Sequence, residues 1–161
     1  MKASLIAYLM SCLILLSSFE ISKIDKASFY EAFSSGEEAA IDRKIVQLES
    51  EKSTSQNNAY IGALTMKKAG FVKGVKGKVS TFKKGAHLLE EEIKQNPGNV
   101  EFRFLRLAVQ EHAPSILKYN KQIDEDKQEV VASFAKLDEE VKAIVVNYAK
   151  DSKVLKPAEL K

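Results

Sequence analysis

The chain has 161 residues, of which 45% are hydrophobic and 29% are charged, and its formal net charge is +3. This balance is typical of a folded globular chain, and it excludes a disordered polymer and a protein made mainly of membrane spans. The single cysteine, Cys12, lies in an apolar N-terminal run. We therefore expect no disulfide, catalytic thiol or cysteine metal site in the remaining chain.

The first 18 residues have the order of a secretory signal peptide: Lys2, an apolar stretch from Ala3 to Leu16, and two serines. Cleavage near Ser18 is the favoured interpretation, and retention as an uncleaved anchor is one alternative. Lipidation of Cys12 is another, because the residues before it resemble a lipobox. Each alternative places residues 19–161, a single helical domain, outside the cytoplasm, in the periplasm or cell envelope.

Apolar residues then recur at spacings of three and four, which predicts an all-α fold, either a helical-hairpin bundle or a short solenoid. The first two helices are expected over residues 26–33 and from residue 37 to a polar linker at 53–58. Five more are expected, over residues 59–73, 79–95, 99–112, 123–137 and 138–148.

Local signals add detail to this helix order. Asn99 and Asp138 are predicted N-caps. The fifth helix carries apolar residues around most of its circumference, which predicts that it is the central buried helix. Phe71 is expected to be a bulky core contact, Ile116 is expected to cover the core from a loop, and the polar tail from Asp151 is expected to be loosely held.

A turn in the middle of the chain resembles the repeat boundary of tetratricopeptide proteins. There Asn96, Pro97, Gly98 and Asn99 join two apolar helices. A regular 34-residue array is not expected, because charged residues stand at the small and aromatic positions of that motif.

A wider region, residues 59–127, resembles an uncharacterised group of exported bacterial helical proteins. Residues that carry the resemblance are Tyr60, Gly62, Ala63, Leu64, Met66, Lys67, Lys68 and Ala69, then residues 99–107, Pro114, Leu117, Tyr119, Asp126 and Lys127. This resemblance implies a helical fold and export, and it implies no catalytic or binding site.

Charge is distributed unevenly along the chain. Residues 52–89 contain eight lysines and no acidic residue. The favoured interpretation is a solvated lysine face, and the functional alternative is a basic surface for lipid phosphates, an anionic envelope polymer or an acidic partner. Candidate binding residues in this segment are Lys67, Lys68, Lys73, Lys76 and Lys78. Nucleic acid is not expected as a partner, because neither arginines nor interleaved stacking aromatics accompany these lysines.

A second candidate binding site lies on the central helix. Arg103 and Arg106 are three residues apart, with Gln110 on the same side. The two guanidinium groups could hold a carboxylate or carbonyl groups of a partner. The favoured interpretation is structural, with internal partners at the acidic start of the sixth or seventh helix.

Catalytic patterns are absent from the sequence. The segment from Gly70 to Ser80 resembles a phosphate loop, but Val72 stands where that motif needs glycine and no strand precedes it. His87 and His112 have no metal-ligand spacing. The sequence therefore predicts no enzyme activity, metal or cofactor. We expect an interaction or scaffolding module with an unidentified protein partner. The alternative is an electrostatic binder of anionic lipid or envelope polymer that uses the lysine-rich segment, residues 67–84.

Overall fold

The computed structural model describes residues 25–161. The expected signal peptide and Cys12 lie outside the described residues. Within residues 25–161 the backbone forms seven α-helices and no β-strand, which confirms the all-α prediction. The helices are α1 Lys26–Ser34, α2 Glu38–Ser50, α3 Ser55–Lys68, α4 Val75–Gln95, α5 Val100–His112, α6 Ile123–Ala132 and α7 Glu139–Asp151.

Short polar side chains fix the starts of several helices. The carboxylate of Asp138 accepts a hydrogen bond from the Val141 amide at 2.9 Å, and the Asn99 side chain accepts one from the Phe102 amide at 3.1 Å. Each bond satisfies an amide that has no partner inside its own helix. Both predicted N-caps are confirmed.

The core is centred on α5, as its all-round apolar sequence predicts. Phe104, Leu105 and Leu107 on this helix are almost fully buried. On one side, aromatic rings from α1 and α3 meet, and the rings of Phe29 and Tyr60 stack with their centroids 3.6 Å apart. Because α5 contacts elements from both halves of the chain, it holds the helical pairs together.

Helices α3 and α4 form an antiparallel hairpin with an unusually close crossing. A Cβ atom added at Gly85 would lie 2.5 Å from the Gly62 carbonyl oxygen, and one added at Gly62 would lie 2.8 Å from the Leu89 amide nitrogen. Only glycine permits backbones to approach this closely. The two glycines therefore allow the backbones of α3 and α4 to pack in direct contact.

The ends of this hairpin differ from the prediction. Helix α3 begins at Ser55, inside the predicted polar linker, because the Thr54 hydroxyl accepts a hydrogen bond from the Asn57 amide at 3.1 Å and caps the helix there. It ends at Lys68, not at residue 73, and Phe71 is 39% exposed instead of being a core contact. Helix α4 begins at Val75, four residues before the predicted start, because Gly74 turns the chain with a φ of 75°. Left-handed φ values of this kind favour glycine, so the turn is compact.

The second half of the chain also departs from the prediction, at the end of α6 and in the loop before it. Helix α6 ends at Ala132 and a 3-10 turn, Phe134–Lys136, follows it. Ile116, predicted to cover the core, lies in the 3-10 turn Ser115–Leu117 and is 75% exposed, whereas Leu117 and Tyr119 pack against the core. Ile116 and Leu117 are adjacent in this short turn and point in different directions, so only Leu117 reaches the core.

The segment after Asp151, expected to be loosely held, is docked against the helices. Leu155 is fully buried, and the Glu111 carboxylate on α5 accepts hydrogen bonds of 2.6 Å from the Ser152 hydroxyl and from the Lys153 amide. Burial of Leu155 and these hydrogen bonds hold the segment in place although most of its residues are polar.

Among residues 25–161, none of the helices has both the length and the apolarity that a membrane span requires.

Candidate functional site

The lysine-rich segment lies at the turn of the α3–α4 hairpin. We call residues 67–78 the basic tip: they comprise the last two residues of α3, the connection at 69–74 and the first turn of α4. Most residues from 70 to 78 are exposed. The hairpin therefore places a run of cationic residues at one end of a rigid helical pair.

Two lysines of the basic tip contact the body of the protein. The ammonium group of Lys67 lies 5.1 Å from the ring centroid of Phe33, and burial lowers the pKa of Lys67. Lys68 pairs with Asp42 on α2 at 2.7 Å. Cation–π contact and ion pairing both satisfy the charge locally. These two lysines therefore fasten α3 to α1 and α2 and are less accessible to a partner.

Other lysines remain directed to solvent. Lys73 and Lys76 are exposed and form no ion pair within residues 25–161. Lys78 is exposed as well, and its ammonium group donates a hydrogen bond of 2.9 Å to the Gly70 carbonyl oxygen, which closes the turn. Lys83 and Lys84, further along α4, are likewise exposed. The structure thus divides the five predicted lysines into two that anchor the hairpin and three that face solvent.

Two apolar side chains lie among these lysines and were not predicted as part of a site. Phe71 is 39% exposed and Val75 is 71% exposed. The only sequence signal for their exposure is the glycines and lysines that flank both residues, because the apolar spacing itself predicted that Phe71 is a core contact. The basic tip is therefore an amphipathic surface and not a purely cationic one.

The second predicted site, on α5, is a closed internal cluster. Arg106 is 4% exposed, and its guanidinium group donates two hydrogen bonds of 2.7 Å to the Asp126 carboxylate and a third of 2.7 Å to Glu90. Burial alone would lower the pKa of Arg106, but Asp126 and Glu90 outweigh burial and raise it. This fork-shaped pairing is the strongest form of an ion pair between arginine and a carboxylate.

Arg103 and Gln110 belong to the same cluster. Arg103 donates to Glu125 at 2.7 Å and to Asp126 at 3.2 Å, while the Gln110 amide group donates to Asp126 at 2.8 Å. The partners are therefore the acidic residues that begin α6, which the structural interpretation of these arginines anticipated. The donors of this cluster point at internal carboxylates, and their contacts join α5 to α6 and α4.

A buried carboxylate at the start of α5 forms a third polar cluster, which the sequence did not indicate. Glu101 accepts hydrogen bonds from the hydroxyl groups of Tyr30, at 3.1 Å, and Tyr60, and Lys26 donates to it at 2.7 Å. Lys26 also donates to Asp138 at 2.6 Å. Because all of these groups are paired with one another, the cluster stabilises the junction of α1, α3, α5 and α7.

The four tyrosines of residues 25–161 share one arrangement. Tyr30 and Tyr60 donate to Glu101, Tyr119 donates to Glu90 at 2.6 Å, and Tyr148 donates to Glu111. Burial, followed by the charge or hydrogen bond of the neighbouring glutamate, raises the pKa of every one of these phenol groups. The tyrosines therefore stay neutral and act as donors that tie glutamates on one helix to another element.

No group of three or more potential metal ligands occurs within residues 25–161. The buried polar clusters have their partners inside the fold, whereas the basic tip combines three exposed lysines with two exposed apolar side chains on one short turn. No protein-family model, curated protein or solved structure matches this chain.

Proposed function

We propose that this chain is an exported, non-catalytic interaction module of the periplasm or cell envelope that binds a phosphate-bearing polyanion through its basic tip. In this proposal its consecutive helical hairpins, of a tetratricopeptide-like kind, serve as the scaffold. The observation that carries the proposal is the exposure of Lys73, Lys76 and Lys78 in a stretch, residues 52–89, that contains no acidic residue. An unbalanced cluster of this kind attracts anions over several ångströms.

The alternative surface, around Arg103 and Arg106, is less suited to a partner. Their guanidinium groups are engaged by Glu90, Glu125 and Asp126. A ligand carboxylate at this position would have to displace internal carboxylates that are already well paired, at a net loss of hydrogen bonding. Lys73, Lys76 and Lys78 of the basic tip, in contrast, can meet an anion without breaking an ion pair.

The basic tip suits a ligand with several phosphate groups better than a single anion bound in a deep pocket. Lysine ammonium groups act as separate point charges on flexible stems, and they suit a ligand with several anionic groups spaced along a surface. The exposed position of the lysines also implies that binding weakens as salt is added, since the Debye length falls to about 8 Å at physiological ionic strength.

The proposal is tested by charge reversal in the full chain. The double variant Lys73→Glu/Lys76→Glu is compared with Lys94→Glu/Lys150→Glu, which reverses two exposed lysines outside the tip. Probes are long-chain inorganic polyphosphate and vesicles of phosphatidylglycerol and phosphatidylcholine, at low and physiological salt. Because each lysine beside an anionic surface contributes about 1 kcal/mol, the tip variant should bind at least about tenfold more weakly to one or both probes.

The control variant determines how the result is interpreted. It has the same net charge as the tip variant, so general repulsion affects both equally. Equal affinity of the two variants for both probes would reject the proposal, and so would binding that salt does not change.

Location is tested separately. In cells that express the full chain, fractionation should place the protein in the periplasm or envelope, and deletion of Met1–Ser18 should leave it in the cytoplasm. The support for this part of the proposal is the order of Lys2, the apolar stretch and the two serines in the sequence. Full-length protein recovered only from the cytoplasm would contradict it.

A further inference from the structure

The basic tip contains a feature that binding to a soluble polyanion does not require. Phe71 and Val75 expose apolar surface directly beside Lys73 and Lys76. Apolar side chains gain nothing from a hydrated polymer, whereas they gain considerably from transfer out of water. Their position among the lysines therefore indicates a partner that offers both anionic groups and an apolar environment.

We propose that the polyanion is the surface of an anionic phospholipid bilayer, and that the basic tip inserts Phe71 and Val75 between the headgroups. This inference rests on the proposed function and specifies its ligand. Lysine ammonium groups would meet the phosphates while the phenyl and isopropyl groups enter the boundary with the acyl chains, which is the usual division of roles in interfacial binding.

The size of the apolar surface favours a bilayer over a protein partner. Specific protein interfaces bury about 800 Å² on each side, with a continuous apolar centre. Phe71 and Val75 are only two side chains, and their sequence neighbours are glycines, lysines and the half-buried Val72. A bilayer needs no such extended complementary patch, because it accepts each apolar group separately and its phosphates move to meet each charge.

The turn is already ordered in the shape that insertion requires. The amides of Gly70 and Phe71 donate to the carbonyl oxygens of Lys67 and Lys68, each at 3.0 Å, and Lys78 donates to the Gly70 carbonyl oxygen at 2.9 Å. A preorganised turn loses little conformational freedom when it binds. The tip therefore presents Phe71 on a fixed support.

The arrangement along α4 is consistent with an upright hairpin. Lys76 and Lys83 are seven residues apart, which places them on the same helix face and about 10 Å apart along the axis. Lys83 is exposed and forms no ion pair within the described part of the chain. Since this distance is close to a Debye length, Lys83 would still attract the headgroups while the tip lies in them.

A tryptophan scan in the full chain tests insertion directly, because the chain contains no tryptophan. The variant Phe71→Trp is compared with Val46→Trp, which changes a valine that is 64% exposed on α2. With anionic vesicles that contain brominated acyl chains, the indole introduced at position 71 should shift to shorter emission wavelength and lose at least about half of its fluorescence. The indole at position 46 should keep its emission wavelength and intensity. Residues 1–24 are identical in both variants, so they cannot cause a difference between the two indoles.

The second arm separates this inference from the proposed function. The double variant Phe71→Ser/Val75→Ser should bind anionic vesicles at least about tenfold more weakly than the wild type and should bind polyphosphate equally well. Unchanged vesicle affinity, or no quenching at position 71, would overturn the bilayer proposal, and the proposed function would stand if the lysine reversals still weakened binding. If the lysine reversals change neither probe, the proposed function fails as well.

Discussion

Replacement of Gly85 by alanine examines the contact that holds the α3–α4 hairpin together. The new Cβ atom would lie 2.5 Å from the Gly62 carbonyl oxygen, 2.7 Å from the Met66 amide nitrogen and 2.9 Å from the Thr65 Cβ atom. The first two of these atoms belong to the backbone of α3, so no rotamer change relieves the overlap. The two helices must move apart along their whole contact.

The expected cost follows from two opposing effects. Overpacking in a well-packed interface costs about 1–3 kcal/mol, and a backbone clash belongs at the upper end of that range. Alanine in the middle of a helix recovers about 1 kcal/mol relative to glycine. We therefore expect Gly85→Ala to lower the free energy of unfolding by about 2 kcal/mol, which corresponds to a fall in Tm of about 8 °C.

Chemical denaturation and thermal melting, each followed by circular dichroism, provide the assay. Gly98→Ala is the matched control, because a Cβ atom there would meet nothing within 4 Å and the φ of Gly98 is not in the left-handed region. Its stability should stay within about 0.5 kcal/mol of the wild type. Equal stability of the two alanine variants would refute the close crossing of α3 and α4.

Three further perturbations test the core and the polar clusters. Phe104→Ala should cost about 3–5 kcal/mol in urea denaturation, because Phe104 is 1% exposed on the central helix; a loss below about 1 kcal/mol would mean that α5 is not central. Asp126→Asn should cost about 3 kcal/mol in the same assay, because it leaves the buried Arg106 guanidinium group without its bidentate partner; a neutral result would contradict that pairing. Glu111→Gln tests pH dependence. Burial raises the pKa of Glu111, but hydrogen bonds from Ser152, Tyr148 and Lys153 outweigh burial and hold the pKa below its usual value of 4.5. The stability that ionised Glu111 contributes is therefore present above about pH 4.5 and is lost as the pH falls through the folded pKa. The difference in Tm between wild type and variant should narrow from pH 7 to pH 3, and a constant difference would contradict this assignment.

The sequence was sufficient where structure is determined locally. Apolar spacing predicted the helices, Asn99 and Asp138 were recognisable as N-caps, and the apolar circumference of residues 100–109 identified the central helix. The sequence offered the acidic starts of the sixth and seventh helices as partners for Arg103 and Arg106, and the structure selects the sixth, α6.

The remaining features depend on residues that are distant in sequence. Tyr30 and Tyr60 meet Glu101 across 71 and 41 positions, and nothing in the local pattern of any of the three indicates the contact. Phe71 is exposed because α3 ends at Lys68, three residues before it, whereas the apolar pattern predicted a helix as far as residue 73. Sequence periodicity shows which faces are apolar, but it does not show where a turn removes a residue from such a face.

The pairing of tyrosines with glutamates has a consequence for the protein in alkali. In the folded chain Tyr30, Tyr60, Tyr119 and Tyr148 have raised pKa values, whereas in the unfolded chain each phenol ionises near its ordinary value of 10.0. Stability from these groups is complete below about pH 10 and declines as the pH rises further, because only the unfolded chain then releases their protons. The tyrosinate absorbance of these four residues near 295 nm should consequently appear together with the loss of helix and not before it. After a rapid increase in pH, the rate at which this absorbance appears would therefore report the rate at which the fold opens and the four hydrogen bonds break.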